Sequence, residues 1–228
     1  MRPDPGARSL RICVIGDSIA AGTGDQRCLG WPGRLASRLI ADGADLTVYA
    51  LGVRGDTSED VARRWQAEAE ARLPTVFPRA LIFQFGLNDC AMRTWDDGLS
   101  ERRVSVERSL ECTRATLASA AARYPTLMIG PAPVDDGRPG PQLAAGVQQR
   151  IRNDDIRDLD GRLEVTAQGV AVPYLSVFAT LESDARWRRA TLLGDGVHPS
   201  DEGYEVLAGL VDGWSAWQAL LAIAKGGS

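Results

Sequence analysis

Short apolar runs alternate along the chain with longer segments in which apolar residues recur every three or four positions. The runs are bounded by glycine or polar residues, a pattern typical of buried strands. They predict five strands, at residues 10–15, 46–51, 80–85, 126–129 and 170–175. The third run is apolar except for Gln84, as expected for a parallel strand that helices cover on both faces.

The segments with helical periodicity separate these strands. They predict helices at 31–42, from Thr57 or Ser58 onward, and at 101–123, 141–160 and 200–223, with loops at 92–100, 130–141 and 183–199. Because helices connect successive strands, the strands are expected to be parallel and covered on both faces. The sequence therefore predicts a three-layer αβα sandwich, a single α/β domain over residues 1–228 with flexible tails at 1–8 and 225–228.

Composition narrows the classes of function. A chain of 228 residues with 44% hydrophobic and 25% charged residues is ordinary for a soluble globular protein. The net charge of −4 gives no electrostatic reason to expect binding to nucleic acid or to an anionic membrane. Neither a signal-peptide pattern nor an apolar run of membrane-spanning length is visible, so we expect a cytoplasmic protein.

The residues that bind metals or form disulfides are few. None of the four cysteines (Cys13, Cys28, Cys90 and Cys112) forms a C-x-x-C pair, and His198 is the only histidine. We therefore expect no metal site and no cofactor, and reduced thiols. Cys13 lies in a predicted buried strand, where a thiol serves as a small hydrophobic side chain.

Polar residues and glycines follow the predicted strands. They are Asp17 and Ser18 after the first strand, Gly52 and Gly55 after the second, Gly86, Asn88 and Asp89 after the third, and Asp195 and His198 in the last loop. Ligands bind at the carboxyl ends of the strands of open parallel sheets. These distant segments are therefore expected to meet in one site, although each residue alone is also compatible with a turn or a helix cap.

Ser18 and His198 suggest nucleophilic catalysis. A serine hydroxyl needs an adjacent base to act as a nucleophile, and histidine is the side chain best suited to that role. Asp195 lies three residues before His198, a spacing that can bring its carboxylate to the ring Nδ1. Acyl transfer also needs donors for the developing oxyanion, and the Ser18 amide, a glycine-turn amide and the Asn88 side chain can supply them.

Four segments occur in order between residues 16 and 199: Gly16-Asp17-Ser18-Ile19, Gly55-Asp56-Thr57, Gly86-Leu87-Asn88-Asp89 and Asp195-Gly196-Val197-His198-Pro199. They resemble the four blocks of the SGNH (GDSL-type) hydrolase family. The resemblance implies a flavodoxin-like fold and ester hydrolysis with Ser18 as nucleophile, His198 as base and Asp195 as its partner. It also implies an oxyanion hole formed by the Ser18 amide, the Gly55 amide and the Asn88 side chain, with Asp17, Gly52, Gly86 and Asp89 in support.

Two positions depart from the family pattern. Ile19 replaces the usual leucine, and Ala50 stands where the family often has asparagine before the glycine turn. The oxyanion donor can be Gly52 or Gly55, and the Gly-Asp-Thr match favours Gly55.

The substrate is predicted only as a class. The sequence predicts hydrolysis of small carboxylic esters, with short acyl chains because no long apolar lid is evident. An acyltransferase or thioesterase could use the same residues. A phosphate- or nucleotide-binding module of similar fold is a third reading, but Walker A and complete dinucleotide motifs are missing. Pocket walls are expected from residues 19–30, 90–99, 131–141 and 183–194, which include Trp95 and Trp187.

Overall fold

The computed structural model describes residues 9–138, 142–144 and 146–224, with the backbone alone at 142–144, 223 and 224. The predicted tails at 1–8 and 225–228 lie outside these residues. The described strands are β1 (Leu10–Gly16), β2 (Leu46–Gly52), β3 (Arg79–Gln84), β4 (Met92–Trp95), β5 (Ser100–Arg102), β6 (Thr126–Ile129), β7 (Gln142–Ala144), β8 (Val147–Arg150) and β9 (Tyr174–Leu175). The described helices are α1 (Gly30–Ala41), α2 (Ser58–Arg72), α3 (Val106–Ala121), α4 (Asn153–Gln168), α5 (Phe178–Ser183), α6 (Ala185–Leu193), α7 (Asp201–Asp212) and α8 (Ser215–Ala224).

The central sheet has the strand order β2-β1-β3-β6-β9, and every pair in it is parallel. The chain leaves β1 toward β2 on one side and returns to β3 on the other, so the order reverses at β1. Such a switch point opens a crevice at the carboxyl ends of the strands. The loops after β1, β2 and β3 are therefore placed side by side, which confirms the predicted α/β sandwich.

Apolar side chains on both faces of the central strands form the core. Ile12, Ile15, Leu81 and Phe83 are fully buried, as the unbroken apolar runs predicted. Helix α2 begins with a capping box, in which the Thr57 hydroxyl accepts the Asp60 amide and the Asp60 carboxylate accepts the Thr57 amide. This cap fixes the start of α2 next to the loop that follows β2.

A second sheet was not predicted. Strands β5, β4, β8 and β7 form an antiparallel sheet in that order, where the sequence pattern predicts a loop at 92–100 and a helix at 141–160. The helix prediction is wrong before Asn153, where α4 begins. Gly146 lies between β7 and β8 with a φ of +77°, a turn conformation that glycine adopts without strain.

Other boundaries also differ from the prediction. Helix α3 begins at Val106 rather than at 101, and β9 is confined to Tyr174–Leu175. The predicted loop at 183–199 contains α6, and the predicted last helix is divided into α7 and α8 around Gly213. Within the described residues, no helix is long and apolar enough to cross a bilayer.

Candidate active site

Ser18, His198 and Asp195 form a hydrogen-bonded chain across 180 residues of sequence. The Oγ of Ser18 lies 2.8 Å from Nε2 of His198, and Nδ1 of His198 lies 2.6 Å from Oδ2 of Asp195. This is the nucleophile–base–carboxylate order that activates a serine hydroxyl. The three side chains that the sequence singles out are thus brought together in the arrangement their chemistry requires.

The loop before α7 holds Asp195 in place. Its Oδ1 accepts the backbone amides of Val197 and His198 at 2.9 and 2.8 Å, which leaves Oδ2 for the imidazole. Partial burial raises the pKa of Asp195, but the hydrogen bonds from the His198 amide, the His198 ring and the Val197 amide outweigh it and hold this pKa below its usual value. The carboxylate therefore stays ionised and can stabilise a protonated imidazole.

A tight turn after β1 presents Ser18. Gly16 packs directly on the Gln84 carbonyl, where a Cβ could not fit. The buried carboxylate of Asp17 accepts the Ile19 amide at 2.9 Å, and the Ser18 carbonyl accepts the Thr23 amide at 3.0 Å. Burial, opposed by the Ile19 hydrogen bond and assisted by the charges of Asp89 and Asp56, raises the pKa of Asp17 to about 7.

Gly55 and Asn88, the predicted oxyanion donors, line the same cavity as Ser18. Asn88 donates through Nδ2 to the Asp56 carbonyl at 3.0 Å, which ties the loop after β3 to the loop after β2. Arg103 donates to the Gly55 carbonyl at 2.8 Å and to Oδ1 of Asn88 at 3.4 Å. The Arg103 guanidinium therefore holds Gly55 and Asn88 together, a contact that no local sequence signal indicates.

Gly52, Gly86 and Asp89 lie behind these residues. A Cβ on Gly52 would collide with backbone atoms of Asp17 and Ala21, so Gly52 permits the Ser18 turn to pack on the end of β2. Gly86 has a φ of +118° and places the following loop. Asp89 is fully buried and binds the amide and hydroxyl of Ser58 at the start of α2.

A cavity of about 610 Å³ opens in front of Ser18, and we refer to it as the Ser18 cavity. Ser18, Gly55, Asn88, Asp195 and His198 line one part of it. Its remaining walls are formed by Arg54, Arg93, Arg103, Gln149, Ile151 and Val197.

The predicted pocket walls are only partly correct. Arg93 comes from the predicted segment 90–99, but Gln149 and Ile151 come from the region predicted as a helix. Trp187 is buried, and its indole nitrogen donates to the Pro133 carbonyl at 3.0 Å. It lines a separate cavity of about 230 Å³ together with other residues of the predicted segments 131–141 and 183–194. Trp95 lies outside the Ser18 cavity as well.

The described part of the chain contains no cluster of three or more His, Cys, Asp or Glu side chains that could hold a metal ion. Cys13, Cys90 and Cys112 are buried thiols, and Cys28 is exposed. Burial raises the pKa of Cys13 and of Cys90 to about 12, so these two thiols stay protonated near neutral pH.

A family model and a curated relative match parts of this chain. The model of the GDSL-like lipase/acylhydrolase family matches residues 14–206. Esterase TesA of Pseudomonas aeruginosa is 33% identical over 87 residues, which make up 36% of this chain and 39% of that protein. The matched region thus spans about two fifths of the length of this curated relative.

Solved structures show the same fold. The lipase/acylhydrolase from Enterococcus faecalis superposes with a TM-score of 0.69 at 21% identity, covering 93% of this chain and 96% of that chain. The psychrotrophic esterase EstA from Pseudoalteromonas sp. superposes with a TM-score of 0.63 at 16% identity, covering 89% and 94%. Since the family model covers the Ser18 turn, the loops after β2 and β3, and the Asp195–His198 loop, the chain belongs to the GDSL-like lipase/acylhydrolase family.

Proposed function

We propose that this protein hydrolyses carboxylic esters of small molecules through a covalent acyl-enzyme on Ser18. The observation that carries the proposal is the chain from Ser18 Oγ to His198 Nε2 and from His198 Nδ1 to Asp195. His198 takes the hydroxyl proton as Ser18 attacks the ester carbonyl, and then gives that proton to the departing alkoxide. A water activated by His198 hydrolyses the acyl-enzyme and frees the acid.

Three donors are available for the tetrahedral intermediate. The Ser18 amide, the Gly55 amide and the Asn88 side chain belong to segments that border the Ser18 cavity. Nδ2 of Asn88 uses one hydrogen on the Asp56 carbonyl at 3.0 Å and keeps a second hydrogen for the substrate. Preorganised donors of this kind stabilise charge that develops in the transition state.

The walls of the Ser18 cavity favour a short acyl chain. Ile151 and Val197 are the aliphatic side chains among the lining residues, and the others are polar, charged or glycine. A long acyl chain gains its binding energy from buried apolar surface, at about 25 cal/mol per Å². Since only two of the lining residues have aliphatic side chains, activity is expected to decline as the acyl chain lengthens.

Covalent labelling combined with a substrate series tests the proposal. The wild-type protein should hydrolyse 4-nitrophenyl acetate and react with a fluorophosphonate at Ser18, identified by peptide mass spectrometry. Ser18→Ala and His198→Ala should lose turnover and labelling while keeping the wild-type circular dichroism spectrum. Ser215→Ala removes an exposed hydroxyl from the start of α8 and is the matched control. Near-wild-type turnover in the folded Ser18→Ala variant would refute the assignment.

A further inference from the structure

Three guanidinium groups line the Ser18 cavity without carboxylate partners. Many arginines of this chain, among them Arg34, Arg64 and Arg108, are held by carboxylates. Among the described residues, no carboxylate oxygen lies within 4.0 Å of the side-chain nitrogens of the three cavity arginines. They are Arg54, Arg93 and Arg103. Their positive charges are therefore available to a molecule in the cavity.

The second sheet contributes polar groups that lack protein partners. Arg93 of β4 pairs in register with Gln149 of β8. Nε of Arg93 and Oε1 of Gln149 are buried, and neither forms a hydrogen bond within the described part of the protein. Gln149 is only 7% exposed and lines the Ser18 cavity. Buried polar groups normally have partners, so the free Nε–H of Arg93 indicates a place where an acceptor oxygen of a ligand binds. Oε1 of Gln149 is itself an acceptor, and Gln149 can bind an anion only through its NH₂ group.

The charges of Arg93 and Arg103 act on each other. Burial, together with the charge of Arg93, lowers the pKa of Arg103, and the carboxylates of Asp60, Asp89 and Asp56 offset this only in part. Asp56 is paired with Arg64 at 2.7 Å, and Asp60 with Arg63. Asp89 is occupied by Ser58. These acids have partners of their own, and an anion in the cavity would relieve the repulsion directly.

The remaining acid at the cavity is Asp195. Its two oxygens are taken up by the imidazole of His198 and by the amides of Val197 and His198. It neutralises the protonated imidazole during the reaction rather than the arginines. The cavity lining outside Ser18, His198 and Asp195 thus carries positive charge and polar donors, with two aliphatic side chains.

We propose that the preferred substrate is an anionic ester, in which a second group that shares its negative charge over two or more oxygens, such as a carboxylate, binds the guanidinium groups of Arg93 and Arg54 and the side-chain NH₂ of Gln149. This proposal rests on ester hydrolysis at Ser18 and specifies the class of substrate. Guanidinium groups bind such oxyacid groups through paired, charge-assisted hydrogen bonds. Arg93 and Gln149 supply the buried part of the subsite, and exposed Arg54 closes its outer side.

Matched pairs of esters test the substrate class and locate the charge. In the acyl arm, 4-nitrophenyl hemiadipate is compared with 4-nitrophenyl hexanoate. In the alcohol arm, 4-acetoxybenzoate is compared with 4-acetoxybenzamide. In at least one arm, kcat/KM for the anionic ester should exceed that for the neutral ester by ~10- to 100-fold, the effect of one or two charge-assisted hydrogen bonds. Equal or lower kcat/KM for the anionic ester in both arms would overturn the proposal.

Substitutions identify the side chains that cause the preference for anionic esters. Arg93→Gln and Arg54→Gln should each lower the anionic-to-neutral ratio of kcat/KM, Arg93→Gln by ~10-fold or more. Arg114→Gln removes one charge from an exposed position of α3 outside the cavity and should leave the ratio unchanged. A ratio that falls equally in all three variants would mean that overall charge, not the subsite, causes the preference, and would overturn the proposal.

Two measurements on the wild-type protein keep the proposal testable even if the Arg93 variant does not fold. Raising the ionic strength should lower kcat/KM for the preferred anionic ester and leave the neutral ester almost unchanged, because salt screens charge. Adipate should compete with the neutral ester, whereas 1,6-hexanediol should not. Stronger competition by inorganic phosphate than by adipate would show that the subsite prefers a phosphate group to a carboxylate. Fluorophosphonate labelling of Ser18 distinguishes failure of the substrate proposal from failure of the proposed function. Labelling without a preference for anionic esters would overturn only the substrate class. Absence of labelling would overturn the esterase mechanism.

Discussion

The carboxylate of Asp89 accepts the backbone amide of Ser58 at 3.0 Å and also accepts the Ser58 hydroxyl, joining the loop after β3 to the first turn of α2. Both residues are fully buried. Asn88 directly precedes Asp89 in the sequence, and Gly55 lies three residues before Ser58. The contact therefore fixes the distance between two proposed oxyanion donors.

Replacing Asp89 by alanine should damage both stability and catalysis. The substitution leaves the Ser58 amide and hydroxyl buried without this acceptor, which should lower the free energy of unfolding by about 2–4 kcal/mol. The loosened loops should lower kcat by ~10- to 100-fold, because small displacements of catalytic groups are costly. Urea unfolding and steady-state kinetics measure the two effects.

Asp89→Asn is the matched comparison for this contact. Its carbonyl oxygen still accepts the Ser58 amide, and its NH₂ group can donate to the Ser58 hydroxyl. It should therefore lose much less stability than Asp89→Ala. Equal losses in the two variants would show that the contact is not what stabilises this junction.

Replacing Asn88 by alanine tests the side-chain oxyanion donor. The variant should lose ~10²- to 10³-fold in kcat with a smaller change in KM, since the donor acts mainly on the transition state. Steady-state kinetics with 4-nitrophenyl acetate measure this split. The same substitution removes the hydrogen bond to the Asp56 carbonyl, so thermal unfolding is followed in parallel. An unchanged kcat would reduce Asn88 to a residue that only connects two loops.

Alanine variants of Gly55 and Gly52 test which of the two glycines supplies the oxyanion amide. Gly55 has a φ of +81° and open space around a Cβ, so Gly55→Ala should cost about 1–2 kcal/mol of stability through backbone strain. Strain at residue 55 should rotate its peptide and displace the backbone amide that is proposed as an oxyanion donor. The resulting loss of kcat should be larger than the fraction of unfolded protein can explain. Circular dichroism and kinetics at a temperature where the variant is folded distinguish the effects.

Gly52→Ala should disturb the nucleophile itself. Its Cβ would collide with the backbone of Asp17 and Ala21, and the end of β2 or the Ser18 turn must move, at a cost of about 1–3 kcal/mol. Folded Gly52→Ala should therefore lose activity even though Gly52 is not the proposed donor. The test of the donor is Gly55→Ala: a wild-type kcat in that folded variant would show that Gly55 is not the oxyanion donor.

The parts of the fold that were predicted correctly are those with a strong local pattern. The buried runs of β1 and β3 and the Thr57 capping box of α2 show in a few consecutive residues what they form. The positions of Ser18 and Asn88 follow from the same pattern, because both residues come after strands of the parallel sheet and the ends of such strands meet at one edge. His198 lies between α6 and α7, so only its side-chain chemistry indicated that it belongs with them.

The parts that were missed depend on distant pairing. Gln149 lies in a segment with helix-forming residues, but it pairs with Arg93, 56 residues earlier in the chain. No local preference indicates which of two partly polar segments will pair across such a distance. Of the four missed strands, β4 and β8 contribute Arg93 and Gln149 to the Ser18 cavity, so this part of the cavity wall could not be predicted from the sequence.

Asp17 should make the stability of the protein depend on pH. Its pKa is raised from 3.8 to about 7 in the folded chain by burial, so the folded state holds its proton more tightly than the unfolded state does. The resulting stabilisation is fully present below pH 4 and is lost as pH rises through 7. A shift of this size corresponds to about 4 kcal/mol at 1.36 kcal/mol per pH unit.

Asp17→Asn removes this titration and keeps a carbonyl oxygen for the Ile19 amide at the position of Oδ1. The free energy of unfolding of the wild type, minus that of the variant, should therefore fall by about 4 kcal/mol between pH 4 and pH 8. Urea unfolding at several pH values measures the difference. Asp158→Asn on the exposed surface of α4 controls for the loss of one charge. A constant difference between wild type and Asp17→Asn across this range would show that folding does not raise the pKa of Asp17.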